Sequence, residues 1–173
     1  MKKLSDNTYS EEDIYKKAID EKWPGNGTYE DPYIIEFIHS FSDGSVIKNS
    51  SLHILVRNCE FSSLSLKKCK NFRFEVCGLE LLGLSKCSEI KVMNCSFKHS
   101  LKIRYGHNLQ IQASYIPFLI FSMSYENYFK NCTITKILNH MISFYLDKNS
   151  KIYQLITFKS ILHIKHYILS PIM

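Results

Sequence analysis

One repeat constrains this chain more than any other feature: small and apolar residues return every 18 positions. On that interval Cys59, Cys77 and Cys95 share a track that passes, with one extra residue, to Ser114 and Cys132. Beside it run Phe61, Leu79, Phe97, Ile116 and Ile134. Leu64 and Leu66 align with Leu82 and Leu84, then with Leu101 and Ile103, then with Leu119 and Phe121. Further tracks are Ile54, Phe72, Ile90, Leu109; Val56, Phe74, Val92, Ile111, Phe129; and Cys69, Cys87, Gly106, Ser124. Each repeat thus holds seven such positions, at steps of 2, 3, 3, 2, 3, 2 and 3. A step of two keeps both residues on one face of a strand. A step of three marks a corner, where the next inward side chain is delayed.

Three short strands and three corners per 18 residues describe one coil of a parallel β-solenoid, with successive coils about 4.8 Å apart. An amphipathic helix is excluded, because residues 63–67 alternate instead of recurring at i, i+3, i+4 and i+7. A hexapeptide solenoid is excluded because its three faces would each repeat every six residues. The unequal faces, with the general preference for right-handed crossovers between parallel strands, predict an all-β chain folded as a single-stranded right-handed parallel β-helix. Phe72, Phe74, Leu82, Leu84, Ile90, Val92, Leu101, Ile103 and Ile111 are expected inside, and Arg73, Lys91 and Lys102 outside.

An open solenoid end exposes apolar core and unpaired strand edges, so it needs a cap. Residues 10–22 read as a short capping helix. Ser10 is at its N-cap, Glu11, Glu12 and Asp13 lie in the favourable first turn, and Ile14, Ala18 and Ile19 form an apolar stripe. Trp23-Pro24-Gly25-Asn26-Gly27 ends it. The predicted organisation is an N-terminal capping segment over 1–24 and the β-helix over 25–137. The 18-residue spacing fades after Ile137, so 138–173 is expected as an irregular cap or a truncated continuation, with a turn at Asp147-Lys148-Asn149-Ser150.

The stretch Trp23-Pro24-Gly25-Asn26-Gly27-Thr28-Tyr29-Glu30-Asp31-Pro32-Tyr33-Ile34-Ile35-Glu36 resembles the motif that leads into the first coil of right-handed parallel β-helix repeat proteins. In that superfamily a G-x-G-T stretch precedes N/D-P-Y-x-I-E. Ile47-Lys48-Asn49-Ser50 and Val56-Arg57-Asn58-Cys59 are similar to its turn motifs. The resemblance covers residues 23–137. The superfamily includes pectate-lyase-like enzymes, periplasmic nitrous-oxide-reductase maturation proteins and many members without an assigned activity, so the resemblance implies fold more than function.

The chain has 22 Lys and Arg against 16 Asp and Glu, a formal net charge of +6, unevenly spread. Residues 1–56 hold 6 basic and 10 acidic side chains, 57–104 hold 10 and 4, and 105–173 hold 6 and 2. A basic body attracts acidic glycans, nucleic acid or anionic surfaces. Lys68 aligns with Lys86 and Arg73 with Lys91; Lys102 and Arg104 continue on a neighbouring face. These six are the candidate binding residues. Nucleic acid is not expected as the partner, because aromatics should then interleave with the basic residues, and most Phe fall on inward tracks.

Catalysis is not expected either. A polysaccharide lyase needs clustered acids for calcium and a basic catalytic residue, and a glycoside hydrolase needs carboxylates sharing a cleft. Residues 44–146 contain no Asp, and 57–104 offer only Glu60, Glu75, Glu80 and Glu89. Arg104-Tyr105-Gly106-His107-Asn108 has a hydrolase-like Gly-His pair without acidic partners and reads equally as a corner. His163 and His166 stand three apart but read as edge histidines. Gly25-Asn26-Gly27-Thr28 lacks the preceding strand and following Lys-Ser/Thr of a phosphate loop. The six cysteines form no C-x-x-C pair, so reduced structural thiols are expected, with no metal or cofactor. No run of 18 apolar residues suggests a membrane span, and Met1–Tyr15 has no apolar signal stretch, so a cytoplasmic location is expected. The expected function is a non-enzymatic β-helix that binds or scaffolds an acidic glycan or a protein. The alternative is a carbohydrate-active enzyme or a degenerate relative of one.

Overall fold

The computed structural model describes residues 7–36, 44–147 and 149–157. In chain order the elements are β1 (Thr8–Tyr9), α1 (Glu11–Asp20), β2 (Tyr33–Glu36), β3 (Ser45–Lys48), β4 (Ile54–Arg57), β5 (Glu60–Lys67), β6 (Phe72–Glu75), β7 (Gly78–Ser85), β8 (Lys91–Met93), β9 (Ser96–Arg104), β10 (Gln110–Gln112), β11 (Tyr115–Lys130), β12 (Thr133–Leu146) and β13 (Lys151–Thr157). All pair in parallel, each with the strand one coil away, in a β-solenoid of about six turns with about 18 residues per turn.

The coils present three faces. Face A stacks β2, β4, β6, β8, β10 and the end of β11. Face B stacks the first residues of β5, β7, β9, β11, β12 and β13. Face C stacks β1, β3 and the later residues of β5, β7, β9, β11, β12 and β13. All nine side chains expected inside are buried, and Arg73, Lys91 and Lys102 are exposed. The extra residue in the repeat lies in β9, which has nine residues where β7 has eight; pairing shifts from Leu79↔Phe97 to Leu81↔Ser100. The bulge absorbs one residue without turning the inward track outward.

Beyond Ile137 the backbone keeps the coil that the residue pattern abandons. Pairing passes from Ser124↔Ile142 to Asn127↔Phe144, so one residue is lost at a corner. It is regained before Thr133↔Lys151 and Ile134↔Ile152. Asp147–Ser150 makes the expected turn, with Ser150 N–H donating to the Asp147 carbonyl at 3.1 Å. Residues 158–173 lie outside those described.

The corners explain the thiol tracks. One corner repeats a left-handed residue at Asn58, Val76, Asn94, Ala113 and Asn131, and another at Asn49, Lys68, Lys86, Tyr105 and Met123. The residue after each turns inward in a space that admits only a small side chain. There Cys59, Cys69, Cys77, Cys87, Cys95 and Cys132 are buried thiols that form no disulfide. Each lies 3.2–3.4 Å from the carbonyl two residues earlier, placed to donate its S–H. Ser114 and Ser124 make the same bond at 2.8 and 3.0 Å. Their hydroxyls also accept the backbone N–H of Cys95 and Gly106, one coil away. Thiol and hydroxyl are thus interchangeable closures of one corner. Burial pushes the Cys132 thiol up to about 11. Cys87 and Cys95 are raised by their neighbours Cys69 and Cys77 and by burial.

The helix is shorter than residues 10–22. It runs Glu11–Asp20, with Ser10 and Asp13 forming a reciprocal capping box. Ile14 and Ala18 are buried, but Ile19 is 57% exposed and does not join the apolar stripe. It sits one position past Ala18, about 100° around the helix, and so points away from the buried stripe. The Glu11 carboxylate accepts from Ser51 N–H and Oγ, fastening the helix to the first coils.

After the helix, the Asp31 carbonyl accepts the N–H groups of Asn26, Gly27 and Thr28. This knot needs its glycines. A Cβ on Gly25 (φ 95°) would lie 2.0 Å from the Pro32 oxygen, and one on Gly27 (φ 80°) would lie 2.7 Å from the Tyr33 ring. The lead-in motif therefore has a steric cause in this chain. No described helix is long and apolar enough to cross a membrane.

Candidate functional site

The six basic residues singled out by their spacing do not form one site. Arg73 and Lys91 are register neighbours on face A. Lys102 and Arg104 project from β9 on face C. Lys68 and Lys86 occupy the left-handed corner at the end of face C, at φ 53° and 54°. One of them has a counter-charge beside it: Arg73 is ion-paired with Glu75 on its own strand. Among the described residues Lys68, Lys91, Lys102 and Arg104 form no ion pair.

Face A carries an open groove of about 660 Å³ that crosses several coils. One wall is the ladder His53, Asn71, Glu89, Asn108, which sits at a corner. The other is the outward ladder Leu55, Arg73, Lys91, Gln110, aligned strand by strand. Tyr29 and Glu30 close one end, with the Tyr29 ring edge-on to His53 at 5.6 Å. The lining mixes carboxamides, carboxylates, cations and an aromatic ring, so it supplies donors and acceptors together. Beside it Arg57 donates to Glu36 at 2.9 Å, which with an Asn58 amide bond holds the Glu36 carboxyl below its usual range.

Sequence reasoning counted acids only in the basic body and found none paired. The fold brings Glu30, from the lead-in segment, into the same groove as Glu89. These are the carboxylates that linear spacing missed, because 59 positions separate them. The other missed groove residues, His53, Asn71 and Gln110, sit on tracks whose residue types change from coil to coil and so leave no repeat to notice.

Face C holds a different depression of about 390 Å³. It is lined by Ser65, Gly83 and Ser85 with Lys67, Lys102 and Arg104 around them. Gly83 is the low point: a Cβ there would stand 3.1 Å from Ser65 Oγ. In register, Lys48, Lys67, Ser85, Arg104 and Ser122 form one outward ladder and Ser65, Gly83, Lys102 and Ile120 the next. Lys67 was not singled out from the sequence, since Ser85 interrupts its track.

The segment Arg104–Asn108 is two adjacent corners: Tyr105 and Asn108 are both left-handed at φ 52° and Gly106 is buried between them. His107 stacks on Tyr125 at 5.4 Å and 10°. Most Phe are inward as expected, although Phe118 is 40% exposed, but Tyr105, Tyr115, Tyr125 and Tyr128 are all exposed. No group of three or more His, Cys, Asp and Glu that could hold a metal occurs among the described residues. His163 and His166 lie outside them. No family model, curated protein or solved structure matches the chain.

Proposed function

We propose that this chain is a non-enzymatic β-helix binding module that takes a strand of acidic glycan in the face A groove. The observation that carries the reading is the composition of that groove. Lys91 has no ion pair among the described residues and faces the groove with Arg73, ready for a carboxylate or sulfate group. Asn71, Asn108 and Gln110 offer paired donors and acceptors to hydroxyls. Tyr29 offers a flat apolar face at one end.

A glycan array probed with the full chain tests it. Uronate-containing or sulfated glycans bind, neutral ones do not, and Arg73→Ala with Lys91→Ala weakens binding about tenfold, a loss of about 1.4 kcal/mol. Binding that prefers neutral glycans, or that survives the double substitution, removes the proposal.

A second reading rests on Glu30 and Glu89. Two carboxylates in one groove are the minimum apparatus of a glycoside hydrolase. Reducing-end release from the glycans that bind, abolished by Glu30→Gln or Glu89→Gln, would replace the binding reading with that one. Cleavage that requires calcium would point to a lyase instead.

A further inference from the structure

Face C differs from the groove in one respect that decides what it can hold: its own segments supply cations and hydroxyls and no carboxylate. Five successive coils contribute residues 45–51, 64–70, 82–88, 101–107 and 119–125 to this face and its corner. These segments contain seven Lys and Arg and no Asp or Glu. The outward strand positions carry Lys, Arg, Ser, Gly, Val and Ile, and no carboxamide. A hydroxyl-rich sugar chain would find little there to accept its protons. Phosphate oxygens, which only accept, match it.

Aromatic rings border these cations. Tyr105 follows Arg104 directly, is 48% exposed, and has Lys86 Nζ 5.8 Å from its ring centroid. One corner further, Tyr125 is 52% exposed and lies flat on His107. Exposed rings beside a cationic strip are the components of a stacking platform for unpaired bases, with the backbone phosphates tracked by Lys and Arg. Lys67 and Arg104 stand two coils apart, about 10 Å, on either side of Ser85. A duplex fits less well, since reading it requires an element that enters a groove, and face C is a flat sheet with a shallow depression.

From this juxtaposition we infer that face C is a single-stranded nucleic-acid surface. Lys67, Lys86, Lys102 and Arg104 contact phosphates, and Tyr105 and the His107–Tyr125 stack contact bases. It is separate from the face A groove and stands or falls independently of it.

The test is fluorescence anisotropy of the full chain with a labelled 20-nucleotide oligothymidylate. Competitors are the matching duplex, a sulfated polysaccharide and phosphatidylserine vesicles, and the variants are checked for unchanged circular dichroism. The single strand binds. If four phosphates are neutralised, log Kd rises with log salt at a slope of about 3. Lys102→Glu with Arg104→Glu weakens binding at least tenfold. Tyr105→Ala weakens it about tenfold while leaving the salt slope unchanged. Arg73→Glu with Lys91→Glu, on the other face, has no effect. Preference for duplex, polysaccharide or vesicles over the single strand overturns the inference. So does a Tyr105→Ala variant that binds like the parent, because the surface would then be a plain cation patch.

Discussion

Val76 is the residue least suited to its position, and replacing it should make the protein more stable. It occupies a left-handed corner at φ 53°, stacked between Asn58 at φ 52° and Asn94 at φ 53°. For an L-residue this conformation brings Cβ against the following carbonyl, at a cost of about 1–2 kcal/mol, and a β-branched residue is worse than most. Asn tolerates it several-fold more often. Val76 is 57% exposed, so less than half of its apolar surface is covered. Losing that burial costs about 0.5–1 kcal/mol, and the Asn side chain restores part of it. Val76→Asn should therefore stabilise the fold by about 1 kcal/mol, seen as a rise of about 2–4 °C in Tm for a chain of this size. The mirror change, Asn94→Val, puts the same strain one coil later and should lower Tm by a similar amount. Thermal unfolding of both variants followed by circular dichroism at 218 nm, beside the parent, measures this. A lower Tm for Val76→Asn together with an unchanged or higher Tm for Asn94→Val would show that corner conformation does not govern stability here.

Three further outcomes follow from the packing and the hydrogen bonds. Cys77→Ser, which keeps a donor for the Glu75 carbonyl, should change the unfolding free energy from urea denaturation by less than about 1 kcal/mol. Cys77→Leu, which overfills the corner, should cost about 1–3 kcal/mol, and the unfolded parent without reductant should titrate six thiols. The Ser51 N–H bond depresses the Glu11 carboxyl in the folded state. That contribution is therefore complete above the unfolded value of about 4.3 and is lost as pH falls through the folded one. Glu11→Gln should accordingly lower Tm at neutral pH and converge with the parent as the pH drops below about 4. Phe74→Ala, at a fully buried position on the longest apolar track, should cost about 3–5 kcal/mol in denaturant unfolding.

Inward and outward positions differ in what the sequence can reveal about them. An inward residue is bounded by similar coils, so Phe72, Ile90 and Leu109 are apolar and recur at the coil length, and Asn127, next on the track, is buried only with hydrogen bonds from Leu109 N–H and to the Gly106 carbonyl. At two of the three corners the residue after the left-handed turn is small, and thiols and hydroxyls alternate there along Cys95, Ser114 and Cys132; after the third, at Asn71, Glu89 and Asn108, it is large and apolar. Where a corner loses a residue, between Ser124↔Ile142 and Asn127↔Phe144, the coil survives because backbone pairing needs no particular side chain. A reader of residue types sees only the broken interval, and so stops at Ile137.

Outward positions have no such bound, and the candidate sites suffer for it. Lys68 and Lys86 look like partners of Arg73 and Lys91 because each pair is 18 apart, yet the pairs lie on different sides of the coil. Spacing gives the position along the axis and within a coil. It does not say which outward tracks share a face with which corner. Lys67 belongs with Arg104, with Ser85 between them in register, although no two of the three are alike in kind. Glu30 belongs with Glu89 because the glycine knot at Gly25 and Gly27 folds the lead-in segment back over the first coils. The two faces then diverge chemically for a reason set by their neighbours. Face A receives acids from the acidic N-terminal segment and from its own corner, and becomes a surface of mixed donors and acceptors. Face C has no acid of its own over five coils, the Glu11 carboxylate being bound to Ser51 at its edge, and it becomes a surface that favours an anion.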